Sequence, residues 1–399
     1  GGPGAEAAAW IAGEMAAIGM QPTEGDAYLV GEPISYTALV GPPRLALRHV
    51  ETGEELALPY PEGFREVLAG CAGAGEAGAG LVWVPGEYRT GWDLGGRVVL
   101  KPQVRTAAEE AKKALRAGAG GLILVAPRVD TRTREAPLPG GEGPTLPVAL
   151  ISEETWRGIL RLVGLTTRQA LDAPPALAFP VEVNLSVPYG PVEERTAYDV
   201  VGVLPGARPA AAPLVVAAHY DGVGSLPGGP HYPGANDNAA GAGVLLEAAR
   251  RLATSGLVPE RSIYFVALGA EEADLVSTRR LLAAPGAPLD GALGYLLLDG
   301  VGNARSYYLT FDGDPARDGR LLHDLTLAAG LVDRRVRPGN YEAANSHDVL
   351  HEEGLPAVLL FWPDAYHPHR PEDTPDLLDP HKLATTGEVL TLALYTLSR

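Results

Sequence analysis

The sequence predicts an α/β fold: a three-layer, mixed-sheet domain with helices on both faces, carrying a smaller β-rich insert. Three observations predict it. From about residue 180, near-continuous apolar segments alternate with helical ones, the pattern of a sheet covered on both sides. Between about 55 and 172, Gly-rich and Pro-rich loops separate short β-type runs. Ahead of both, AEAAAWIAGEMAAIGM (5–20) spaces Trp10, Ile11, Met15 and Ile18 as a helix does and ends near Gly19.

The elements follow in chain order. Strand-type pieces around 35–40 and 44–50 come after the first helix. In the insert, LVWV (81–84), RVVL (97–100), GLILVA (121–126) and PVALI (147–151) read as strands, and TAAEEAKKALRAG (106–118) as a helix. The later strands are VEVNLSV (181–187), VVGVL (200–204), LVVAAH (214–219), SIYFVAL (262–268), GYLLLD (294–299) and AVLLFW (357–362). Helices are expected over 238–255, 277–284, 318–329 and 382–397. The chain therefore divides into 1–54, a small β-rich domain over 55–172, and a larger domain over 173–399.

A 399-residue chain that is 46% hydrophobic can bury a large core. A net charge of −17 argues against a nucleic-acid partner, which calls for a basic surface. Cys71, the one cysteine, excludes an internal disulfide and any cysteine-based metal cluster. No apolar run approaches the ~18 residues of a membrane span, so no membrane partner is expected. The chain opens Gly1-Gly2-Pro3 rather than with Met. This suggests a removed leader such as a signal peptide, and a secreted or extracytoplasmic protein, with the cytoplasm as the alternative.

Ligand-type residues fall where strands run out. His219 ends LVVAAH, Glu271-Glu272 follow SIYFVALGA, Asp299 ends GYLLLD, and His369 lies beyond AVLLFW. Asp237, in GANDNAAG, sits between a strand and the next helix. Sites in open α/β sheets gather outside the carboxyl ends of strands. Imidazole and carboxylate suit zinc, and five such side chains fit two metals sharing one carboxylate. Metals ~3.5–4 Å apart can bind a bridging water and polarise a carbonyl. Glu271 is placed to move that water's proton, and Asp221 to hold the other ring nitrogen of His219. Each residue alone has a plainer reading, as helix cap, first-turn carboxylate or turn residue. Their joint position at successive strand ends favours the metal site.

The motifs HYD (219–221), GANDNAAG (234–241), GAEE (269–272), LLLDGVG (296–302) and HRPEDTPD (369–376) resemble the two-zinc aminopeptidases of the family that includes glutamate carboxypeptidase. The resemblance implies two Zn2+ ions and peptide substrates. His219 and Asp299 would hold one ion, Glu272 and His369 the other, with Asp237 bridging and Glu271 as general base. It also implies a cis peptide at Asp237–Asn238. The passage GGRVVL…AAEEAKKALRAGAGGLILV…LPVALIS resembles the protease-associated domain that some members insert. Three departures stand out. Pro368 occupies the place before the last zinc histidine where relatives have Tyr, which makes Tyr366 the candidate oxyanion stabiliser. His367 competes with His369 as ligand, although His369 has the family spacing to Asp373-Thr374. Ser346-His347-Asp348 also inverts the usual order of its last two residues.

The expected activity is zinc-dependent aminopeptidase. Rivals are a carboxypeptidase using Arg334, Arg335, Arg337 or Arg370 against an α-carboxylate, and a catalytically silent binding protein of the same fold. A glutaminyl cyclase fits less well, since one zinc leaves ligands without a task. Ser346-His347-Asp348 is no hydrolase triad, whose members are separated in sequence. Gly73-x-Gly75-x-x-Gly78 lacks the strand-to-helix setting of a dinucleotide site.

Overall fold

The computed structural model describes residues 3–23, 27–89, 91–127, 129, 144–283, 291–339, 345–363 and 368–399. The chain divides into two compact units. The first comprises Gly1–Ile34, Arg195–Gly224 and Tyr232–Arg399; the second comprises Ser35–Glu194 with Ser225–His231.

The first unit is built on a mixed sheet, nine-stranded among the described residues. Its centre is parallel: Ile263–Leu268, Leu214–His219, Gly294–Leu298 and Ala357–Phe361 lie side by side in that order. Antiparallel strands flank them, Glu193–Leu204 beside Ile263–Leu268 and Leu309–Asp312 beside Ala357–Phe361. All four central strands are almost wholly buried, which explains their near-continuous apolar runs. Alternate residues supply two cores. Val216, Ala218, Phe265, Leu296 and Leu360 pack with Ile11 and Met15, Leu245, Leu321 and Leu394 of helices Pro3–Ile18, Ala240–Thr254, Gly319–Leu331 and Pro380–Leu397. On the opposite face Val215, Ala217, Val266, Tyr295 and Leu359 pack with Leu281 and Leu350, from helices Val276–Ala283 and Ser346–Glu352.

The second unit holds an eight-stranded sheet among the described residues. Its order is Glu55–Leu58, Arg44–His49, Leu177–Val187, Gly75–Trp83, Val98–Pro102, Gly121–Val125, Val148–Ile151 and Arg65–Glu66. Helix Ala107–Arg116 opens with a Thr106/Glu109 capping box. Helix Glu153–Leu162 stacks Trp156 on Trp83, ring centroids 5.4 Å apart.

This sheet moves two boundaries relative to the sequence expectation of 1–54, 55–172 and 173–399. Arg44–His49 and Leu177–Val187 pair with each other in the second unit, so that unit begins and ends outside the expected 55–172. The reason is visible in VEVNLSV (181–187), which alternates exposed and buried residues. Alternation marks a half-solvated antiparallel strand, unlike the uniformly buried LVVAAH.

Candidate dinuclear metal site

The four parallel strands end on one edge of the sheet, and His219, Asp299 and the Glu271-Glu272 pair follow closely from three of them. His219 is the last residue of its strand. Asp299 follows Leu298, and Glu271-Glu272 lie three and four residues beyond Leu268. The lateral register of His219 with Leu268 puts these chain exits level with one another.

Two groups of potential ligand atoms result: His219, Asp237 and Asp299 form one, and Asp237, Glu272 and His369 the other, with the atoms of each within 4.8 Å of one another. Asp237 belongs to both and divides its oxygens between them. Its Oδ1 lies 3.2 Å from His219 Nε2, and its Oδ2 lies 3.3 Å from His369 Nε2. Asp299 Oδ1 is 3.7 Å from His219 Nε2, and Glu272 Oε1 is 2.8 Å from His369 Nε2. His219, Asp237 and Asp299 are buried, and Glu272 and His369 half-buried.

The loop GANDNAAG explains how Asp237 reaches both groups. Gly234 adopts φ 65°, and a Cβ there would come within 2.7 Å of the Asp237 carbonyl oxygen. The Asp237–Asn238 peptide is cis. Asp373 fastens the loop: its Oδ1 accepts the Asn236 N–H at 2.8 Å and its Oδ2 the Asp237 N–H at 3.0 Å. Asn238 donates to the Leu298 carbonyl at 2.8 Å, tying the loop to the strand that precedes Asp299.

Supporting carboxylates and amides hold the other ligands. Asp221 meets His219 Nδ1 with its backbone carbonyl at 3.3 Å, its Oδ1 lying farther off at 3.6 Å, and its two carboxylate oxygens accept the Glu271 and Glu272 N–H groups at 3.2 and 3.0 Å. It therefore orients a ring and a backbone turn together. Asn345 donates to Asp299 Oδ2 at 2.7 Å. Glu271 is buried outside both groups; it accepts a hydrogen bond from Ser346, and the Thr278 hydroxyl oxygen lies 3.3 Å from its other carboxylate oxygen.

Electrostatics fit the chemistry of these donors. Burial pushes the Glu271 carboxyl up to about 7. Burial also raises Glu272. Burial opposes the protonation of His369, yet Glu272 and Asp237 raise it to about 9. Burial likewise opposes that of His219, but Asp221, Asp237 and Asp299 hold it well above its ordinary value. The surrounding carboxylates thus favour positive charge at the two rings. Divalent cations meet the same demand and leave the imidazoles neutral, as ligation requires. Imidazole and carboxylate donors without thiolate suit zinc.

Tyr366 and His367 lie outside the described residues. Asp373, Asn345, Ser346 and Thr278 had been given no place in the site from sequence. Asp373 stands inside the HRPEDTPD motif, and Asn345 and Ser346 open helix Ser346–Glu352 beside the inverted His347-Asp348 pair. Thr278 carries no sequence signal beyond its place early in helix Val276–Ala283.

Residues 199–394 match the model of peptidase family M28. That stretch, just under half of the chain, is similar to the peptidases of this family. It holds every residue of both ligand groups. The chain is 28% identical over 194 residues to aminopeptidase YwaD of Bacillus subtilis, 46% of this chain and 40% of that protein. It is 31% identical over 167 residues to leupeptin-inactivating enzyme 1 of Streptomyces exfoliatus, 42% of this chain and 36% of that protein. These alignments thus span about two fifths of the curated relatives. In fold, an aminopeptidase from Aneurinibacillus sp. strain AM-1 superposes with TM-score 0.75 at 20% identity, covering 100% of this chain and 90% of the other. A zinc aminopeptidase from Bacillus subtilis superposes with TM-score 0.68 at 20% identity, covering 99% and 89%. Over its whole length the chain is thus similar in fold to these two aminopeptidases.

Proposed function

We propose that the chain is a zinc-dependent aminopeptidase whose two zinc ions share Asp237. One observation carries this reading: the two oxygens of a single buried carboxylate face two different histidines at 3.2 and 3.3 Å, each histidine accompanied by a second carboxylate. His219 and Asp299 would hold one ion, and Glu272 and His369 the other. Bound there, zinc supplies Lewis acidity, acidifying water and polarising a carbonyl.

The chain's own residues do the rest. Glu271, buried and raised to about 7, suits a base that takes a proton from water and returns it to the leaving amine. Asp221 keeps the Glu271-Glu272 turn and the His219 ring in register. The carboxylates of Glu271 and Asp299 offer counter-charges to a substrate's free α-amine. The names of the relatives, an aminopeptidase and a leupeptin-inactivating enzyme, support the peptide substrate class. In the second unit, strand Val98–Pro102, helix Ala107–Arg116 and strands Gly121–Val125 and Val148–Ile151 coincide with the segments that resemble a protease-associated domain. That resemblance supports reading this unit as such a domain.

The test combines metal analysis with kinetics on aminoacyl chromogenic amides. Two zinc equivalents per chain are expected, with turnover of free-amine but not N-blocked substrates. A Glu271→Gln protein should keep its zinc and lose turnover. Full activity in that variant would remove Glu271 from the mechanism, and one equivalent at saturation would remove the shared-carboxylate reading.

A further inference from the structure

We propose that Thr278 is a positioning residue for the base. A hydroxyl chain running Thr278 to Ser346 to Glu271 commits one oxygen of the Glu271 carboxylate to the protein and leaves the other as the proton-accepting atom. The proposal rests on the reading of Glu271 as the base.

Three groups from three elements meet here. Glu271 sits in the loop after strand Ile263–Leu268, Thr278 in helix Val276–Ala283, and Ser346 opens helix Ser346–Glu352. All three are buried, at 8%, 4% and 2% exposure, so water does not substitute freely for a lost partner. A threonine inside a helix often turns its hydroxyl back to the carbonyl four residues earlier. Thr278 instead points its hydroxyl at side chains of other elements: its oxygen lies 2.6 Å from Ser346 Oγ and 3.3 Å from Glu271 Oε2.

Counting protons gives the direction of the chain. Each hydroxyl owns a single proton, and an ionised carboxylate owns none. Ser346 donates to Glu271 Oε1 in the tightest contact of the set. Two hydroxyl oxygens 2.6 Å apart need a proton between them, and with that of Ser346 engaged it is the proton of Thr278. The 3.3 Å approach of Thr278 to Oε2 is then a weak secondary contact. Oε1 is therefore occupied by a charge-assisted bond that Thr278 strengthens through Ser346. Oε2 keeps its lone pairs. In the reaction, an O–H bond of water breaks as an O–H bond forms on Oε2. That proton then leaves Oε2 for the departing nitrogen, and the carboxylate is regenerated.

The experiment uses the zinc-loaded full chain and an aminoacyl p-nitroanilide. Thr278→Val keeps the shape and removes the hydroxyl. Its kcat should fall about tenfold, with KM within about twofold and zinc content unchanged. Thr278→Ser should restore kcat, and Thr278→Ala substitutes for the valine variant should that one fold poorly. Because Thr278 acts through Ser346, the pair Thr278→Val with Ser346→Ala should lose no more than Ser346→Ala alone. Wild-type kcat in the valine and alanine variants would overturn the proposal. Loss of zinc, or multiplicative losses in the double variant, would do so equally. Glu271→Gln separates the two levels. If it is inactive while Thr278→Val is normal, only the positioning role fails; if it is fully active, the base assignment fails with it.

Discussion

Replacing Asp373 with asparagine should weaken both metal positions at once, although Asp373 is in neither ligand group. Its carboxylate is 3% exposed and spends one oxygen on the Asn236 N–H and the other on the Asp237 N–H. Asparagine keeps one acceptor and turns an NH2 group against the second N–H. A hydrogen bond to a charged group contributes roughly 1.5–3 kcal/mol, and an unsatisfied buried N–H costs roughly 1–3 kcal/mol. The combined penalty falls on the loop that aims Asp237, so about 3 kcal/mol is the expected loss of preorganisation. Since each 1.4 kcal/mol is tenfold, zinc affinity should drop by about a hundredfold. Competition against a chromogenic chelator reads this directly. The informative feature is symmetry: Glu272→Ala should depress one zinc equivalent and His219→Ala the other, whereas Asp373→Asn should depress both. Unchanged affinity, or loss confined to a single equivalent, would refute the view that Asp373 acts through the shared carboxylate.

Removing zinc with a chelator should lower the thermal midpoint of the first unit, because ligands that bind only the native state stabilise it by mass action. A midpoint that did not respond to added zinc would contradict native-state binding at these residues. In chelated protein, His369 lies above its unfolded value, at about 9. Its contribution to stability is therefore complete below about pH 6.5 and lost as pH rises towards 9. Urea unfolding across that window should show the decline, and His369→Asn should reduce it while leaving the share that His219, also raised, contributes. In the second unit, Lys101 and Glu110 form an ion pair at 2.6 Å with side-chain exposures of 1% and 0%. Lys101→Met should destabilise that unit by roughly 3–5 kcal/mol by stranding a buried carboxylate, and adding Glu110→Leu should recover most of the loss. Calorimetry on both variants checks this, and a double variant as unstable as the single would refute it.

Much of the fold was legible because the physics behind it is local. LVVAAH, SIYFVAL and GYLLLD read as buried parallel strands, since covering both faces removes any alternation. Helix boundaries at 240–254 and 380–397 fell within a few residues of expectation for the same reason. The second unit's outer strands were misplaced because a 20-residue stretch says what a segment prefers, not which sheet it joins. One partner of Leu177–Val187 is Arg44–His49, more than a hundred positions away.

What the sequence determined by itself was the donor chemistry: which side chains can bind a divalent cation such as zinc, and that most of them stand at or just beyond the end of an apolar strand. Both facts are properties of single residues and short windows. Only the tertiary structure decided how those donors are shared out, because that division depends on distances across the sheet edge. Folding brings the two faces of Asp237 to different histidines, seats Asp373 under the loop that carries it, and stacks Thr278 and Ser346 behind Glu271. Hydrogen-bond partners separated by about 70 to 140 positions, as in Thr278–Ser346, Ser346–Glu271 and Asp237–Asp373, leave no periodic trace in the chain, since nothing in their immediate neighbours prescribes the meeting.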